Sequence, residues 1–123
     1  HAVLFVPDLE QAPVQSLGAE LRRHRRFAPR GTNVNFVQVR EPNFILVRTF
    51  ERGVEGETLA CGTGVTAAAL VAAQLYQWPS PVKVQVRNGD VLEVRFQQRD
   101  GQWDGVRLNG PADFIFEGRI SLD

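Results

Sequence analysis

Apolar and polar positions recur with two periods along the chain, and the switches between them outline the elements. Ala2 to Val6 is an apolar run of strand length, closed by Pro7-Asp8. From Pro13 to about Arg23, Val14, Leu17 and Leu21 recur at spacings of three and four. That period predicts a helix with Pro13 near its first turn. Pro29-Arg30-Gly31-Thr32 carries turn chemistry. Asn33 to Val39 alternates, with Val34, Phe36 and Gln38 on one face and Asn35, Val37 and Val39 on the other. Glu41-Pro42-Asn43 predicts a turn, and Phe44 to Phe50 the returning strand of a hairpin. Asn35 reads as a structural strand residue. Glu51 to Glu57, punctuated by Gly53 and Gly56, reads as loop.

The period changes again at about Gly62. From there to Gln77, Val65, Ala67, Ala68, Ala69, Leu70, Val71, Ala72, Ala73, Leu75 and Tyr76 cover nearly every direction of a helix. A helix apolar all round is buried all round. It is too short to span a bilayer, so a curved sheet is expected to wrap it. Pro79 and Pro81 stop it. Four strand candidates follow: Val82–Val86, Val91–Phe96, Trp103–Leu108 and Ala112–Ile120. Asn88-Gly89 is a hairpin signal between the first two, and Asp100-Gly101 serves the next turn. The expected fold is one α+β domain, a curved and mostly antiparallel sheet around a central alanine-rich helix.

Composition narrows the functions. The 123 residues include 14 basic and 14 acidic side chains, a balance that favours neither nucleic acid nor an anionic membrane surface. The densest basic run, Arg22-Arg23-His24-Arg25-Arg26, reads as the solvated end of a helix, where cations suit the dipole. No apolar stretch is long enough to span a membrane, and no signal peptide is visible. The chain contains no methionine and starts within an apolar strand pattern, so residues upstream are expected to be missing. The single cysteine excludes an internal disulfide and speaks against a cysteine metal site. A lone thiol suits a reducing compartment, hence the cytoplasm.

That cysteine, Cys61, stands in Leu59-Ala60-Cys61-Gly62-Thr63-Gly64, immediately before the alanine-rich helix. The glycines permit a tight loop and close backbone approach, and Thr63 is an N-cap residue type. Free amides and the dipole at a helix start favour a thiolate and can also hold a carboxylate. A thiolate beside an anion site suits acid–base chemistry on a carboxylate-bearing substrate. The bland alternative is that Cys-Gly-Thr-Gly is only a helix-start turn, with Glu51-Arg52 an exposed ion pair of little worth. The cysteine lies outside the apolar body of the helix, and a polar, charged loop precedes it. Both features favour function.

Asn33-Val34-Asn35-Phe36-Val37, then Glu51-Arg52-Gly53-Val54, then Glu57-Thr58-Leu59-Ala60-Cys61-Gly62-Thr63-Gly64 together closely resemble diaminopimelate epimerase. His1-Ala2-Val3 resembles the end of that family's Asn-Pro-His segment, which opens its second domain. Gly110-Pro111-Ala112 with Phe116-Glu117-Gly118 resembles its closing strand. The resemblance spans essentially the whole chain but only the C-terminal half of the enzyme, so the N-terminal domain is expected to be absent. It implies interconversion of LL- and meso-diaminopimelate, toward lysine and cell-wall cross-links, with no pyridoxal phosphate, no metal and no other cofactor. Two cysteines would face opposite sides of the substrate α-carbon. Cys61 matches the second-domain thiol, and its partner belongs to the missing domain. Asn33, Glu51 and Arg52 match substrate-contacting residues. Gly62 and Thr63 match those whose amides hold a carboxylate. His1 and Glu51 match groups that tune the acidity of the thiols. The resemblance further implies a cytoplasmic enzyme, a possible homodimer, and an inactive fragment when this half stands alone.

One departure concerns the loop between Glu51 and Cys61, which is one residue longer than the family form; Glu55 or Gly56 is the expected insertion. Two other readings compete. Proline and hydroxyproline racemases also place Cys-Gly-Thr-Gly at a helix start, but without the Asn-Val-Asn-Phe and Glu-Arg-Gly runs together. A non-catalytic binding domain could keep the fold, and the intact cysteine motif stands against it.

Overall fold

The alternating segment at 34–41 becomes the second strand of a mixed sheet, next to an edge strand, with both faces of its first half covered. The computed structural model describes residues 1–123. Its elements are β1 (Ala2–Phe5), α1 (Val14–Arg22), β2 (Val34–Glu41), β3 (Phe44–Glu51), β4 (Gly56–Thr58), α2 (Gly62–Tyr76), β5 (Val82–Gln85), β6 (Val91–Arg99) and β7 (Gln102–Asn109). A short 3-10 turn, Arg25–Phe27, follows α1. The sheet runs β1-β2-β3-β5-β6-β7, with β4 paired to β3 off this path. β1 joins β2 and β3 joins β5 in parallel; the other neighbours are antiparallel.

Alternation decides which helix each side chain meets. Val37, Ile45, Val47, Val82, Val84, Val94 and Phe96 pack with Val65, Ala68, Ala69, Ala72 and Ala73 of α2. The helix expected to be buried all round is covered on one stripe, Val65, Ala68, Ala69, Ala72 and Ala73, where the alanines let the sheet come close, while Leu75 and Tyr76 near its C-terminus stay exposed. On the opposite face, Val34, Phe36 and Phe50 pack with Leu9, Val14 and the half-buried Leu17 and Leu21 of α1. Here Gly18 sets the approach, since a Cβ there would lie 2.6 Å from that of Phe50.

The lower edge of β3 is shared. Residues 44–46 pair with β5 and residues 49–51 with β4, so Val47 and Arg48 lie at a split in the sheet. An ion network closes it. Arg48 donates from Nε (2.6 Å) and Nη2 (2.9 Å) to the two carboxylate oxygens of Glu57 on β4. Arg87, just beyond β5, donates to the same carboxylate at 3.2 Å. The Arg48 hydrogen bonds hold the Glu57 carboxyl below its ordinary range, against the opposing effect of burial.

Two expectations need correction. The stretch read as loop at 51–57 contains β4 and is a hairpin, with Glu51 paired to Gly56. Ala112–Ile120, read as a strand, forms none. Residues 110–123 follow β7 without regular secondary structure and are exposed, including Phe114, Ile115, Phe116, Ile120 and Leu122. Their alternation signals a demand for burial, yet they add to neither edge of the sheet, β1 or β7.

Candidate active site

The start of β1, the start of β2, the end of β3 and the N-terminus of α2 converge at one end of the domain. Cys61 occupies the N-cap of α2, extended at φ −131° and ψ 106°, and only 9% exposed. Its carbonyl accepts the first helical bond, from Val65 N–H at 2.8 Å. The cap therefore falls on Cys61 and not on Thr63, which lies within the first turn. Thr63 contributes its hydroxyl, 3.6 Å from the Cys61 sulfur. No side chain caps the helix. The amides of Gly62, Thr63 and Gly64 have no intrahelical acceptor and face the thiol's end of the site.

Gly64 shows how tightly this turn is seated. A Cβ at that position would overlap Asn35 Oδ1 and come within 3.4 Å of Cys61 Sγ. The second glycine of the motif is thus required by the packing of α2 on β2. Gly62 faces the β7 side, where Leu108 approaches its Cβ direction to 3.3 Å.

Asn33 precedes β2, Glu51 ends β3 and Arg52 follows it, next to the pairing of Val34 on β2 with Phe50 on β3. The structure joins them directly. Asn33 Oδ1 accepts the Arg52 backbone N–H at 2.7 Å, leaving the Asn33 amide nitrogen free to donate. Glu51 shares the sheet face of Thr49 and α2 by alternation. Glu51 and Arg52 form no ion pair with each other or with any other side chain, so both charges remain available. Of the two residues expected to lengthen this loop, Gly56 takes a ladder position. Glu55 takes the turn, at φ 58°, its carboxylate held by Arg22 at 2.9 Å. Glu51 itself keeps a regular strand position, paired with Gly56.

His1 reaches the same end through Asn35, whose Nδ2 lies 3.3 Å from His1 Nδ1. Asn35 is fully buried and also bonds the Ala2 carbonyl (3.0 Å) and the Thr49 hydroxyl (2.8 Å). Sequence reasoning assigned this residue only to the strand. A buried amide on an otherwise apolar face, two positions from Asn33, was the available signal. No helix is long and apolar enough to cross a membrane, and no group of three or more potential metal ligands is present.

These features define a class: an α+β domain whose lone thiol stands at the N-cap position of its alanine-rich helix, at the end of the domain that also carries acidic and basic side chains without ion-pair partners. A phenazine biosynthesis protein of the PhzF family from Bacillus anthracis has a related fold, with a TM-score of 0.51 at 16% identity over 78% of this chain and 30% of that one. A sequence model described as diaminopimelate epimerase matches residues 1–115. The diaminopimelate epimerase of Chlorobaculum tepidum is 43% identical over 99% of this chain and 47% of its own length. That of Aquifex aeolicus is 47% identical over 98% of this chain and 43% of its own. The chain belongs to the diaminopimelate epimerase family and spans about half the length of these relatives.

Proposed function

We propose that this chain is the C-terminal domain of a cofactor-independent diaminopimelate epimerase, and that Cys61 is one of its two catalytic thiols. A buried thiol at the uncapped start of α2, at the end of the domain where Asn33 accepts the Arg52 backbone N–H, is the observation that carries this reading. An amino-acid α-proton is very weakly acidic, and no electron-sink cofactor is invoked. The carbanion must therefore be stabilised by donors around the carboxylate in a site that excludes water. The amides of Gly62 and Thr63 can supply those donors. Arg52 can grip a carboxylate in bidentate fashion, Glu51 can accept from an ammonium, and the free Asn33 amide can donate.

In the forward direction one thiolate takes the α-proton: the Cα–H bond breaks, an S–H bond forms, and the electron pair stays on Cα. The thiol on the opposite face then protonates Cα and becomes a thiolate. Configuration inverts, and the next turnover in reverse exchanges the roles. Cys61 supplies one face; the other thiol lies in an N-terminal domain. His1 and Glu51 tune the protonation of the thiols. The test is labelling of the full-length enzyme with an aziridine analogue of diaminopimelate. The adduct is expected on a cysteine of the pair and, for the analogue epimer facing this domain, on Cys61. Labelling of that epimer unchanged by Cys61→Ser would refute the assignment.

A further inference from the structure

We propose that Asn35 is a positioning residue for this site: its carboxamide fixes the ring proton of His1 on Nε2 and seats the turn of α2 that carries Cys61. The inference deepens the proposed function and rests on it for the roles of His1 and Cys61.

The hydrogen bonds around Asn35 leave one arrangement. Its amide nitrogen lies 3.0 Å from the Ala2 carbonyl, a group that only accepts. Its oxygen takes the Thr49 hydroxyl at 2.8 Å. With the amide orientation set by these two partners, Nδ2 is a donor toward His1 Nδ1 at 3.3 Å. A donor-only nitrogen requires the imidazole Nδ1 to accept, so the ring proton sits on Nε2. The same amide oxygen lies against Gly64, whose Cβ direction also points at Cys61 Sγ. One fully buried side chain thus touches the histidine, through its ring, and the thiol's turn, through a glycine that admits nothing larger. Burial gives the arrangement its stiffness: Asn35 is 0% exposed, and an amide turned out of place would leave buried groups unpaired.

The experiment uses the full-length enzyme with 15N-labelled histidine, read by long-range proton–nitrogen NMR. The wild type is expected to show His1 protonated at Nε2 and bare at Nδ1. In Asn35→Asp the carboxylate can only accept, so a proton is expected to appear on Nδ1. The kcat is expected to fall by about tenfold or more, as when a residue that sets a catalytic tautomer is lost, with KM little changed. A wild-type His1 carrying its proton on Nδ1 overturns the proposal with no variant needed. So does a folded Asn35→Asp enzyme with unaltered tautomer or unaltered kcat. A wild-type enzyme that turns over no diaminopimelate defeats the proposed function instead, and the wild-type tautomer then decides the Asn35 assignment alone.

Discussion

Thr49 and Thr58 stand opposite each other across β3 and β4, yet only one of their hydroxyls has a partner. Thr49 donates to Asn35 Oδ1; Thr58 Oγ1 is buried with no partner. Removing the satisfied hydroxyl strands a buried acceptor, whereas removing the orphan strands nothing. Thr49→Val is therefore expected to destabilise the full-length protein by about 1–3 kcal/mol. Thr58→Val is expected to leave stability unchanged or raise it by up to about 1 kcal/mol. Urea denaturation of the two variants checks the order, and an equal loss in both contradicts it. Asn35 is where sequence reading stopped short at this scale. Its place in an alternating strand was legible from Val34 to Val39, but its three partners are His1, just before β1, Ala2 on β1 and Thr49 on β3. Asn33, Glu51 and Arg52 were picked out only through the family resemblance of two separate runs, and the hydrogen bond between Asn33 and Arg52, 19 residues apart, could not be read from either run.

Between elements, the split edge of β3 is held by charge as well as by backbone bonds. Glu57 accepts a fork from Arg48 and a third bond from Arg87, with only 13% and 20% of the Arg48 and Glu57 side chains exposed. Glu57→Gln replaces a charged acceptor with a neutral amide and is expected to cost about 1.5–3 kcal/mol at neutral pH. The pH dependence follows from the lowered Glu57 pKa. A depressed carboxyl contributes its full stabilisation above the unfolded value, and that contribution is lost as pH falls through the folded value. The gap between wild type and Glu57→Gln should therefore close on acidification below the ordinary carboxyl range. Thermal unfolding over a pH series checks this; a gap that widens toward acid contradicts it. β4 itself was not legible. Gly56-Glu57-Thr58 has no apolar alternation and becomes a strand only because β3 offers an edge. The reverse holds for Ala112–Ile120, which has the apolar pattern and pairs with no strand of the sheet. Helix α2, by contrast, was plain, since fifteen residues rich in alanine and valine have few other ways to be buried.

At the scale of the whole molecule, the chain has one thiol and spans about half the length of its relatives. A mechanism that inverts Cα needs an acid and a base on opposite faces. This chain taken alone is expected to produce no α-deuterium in diaminopimelate held in heavy water. Exchange above the uncatalysed background would mean that one thiol suffices. The most direct measurement follows the full-length enzyme on LL-diaminopimelate in heavy water, wild type beside Cys61→Ser. The wild type should form meso product with solvent deuterium at the inverted centre. The variant should lose inversion by a factor of at least about 100, the scale of one positioned acid–base group. Inversion at an undiminished rate with Cys61 replaced would contradict the account.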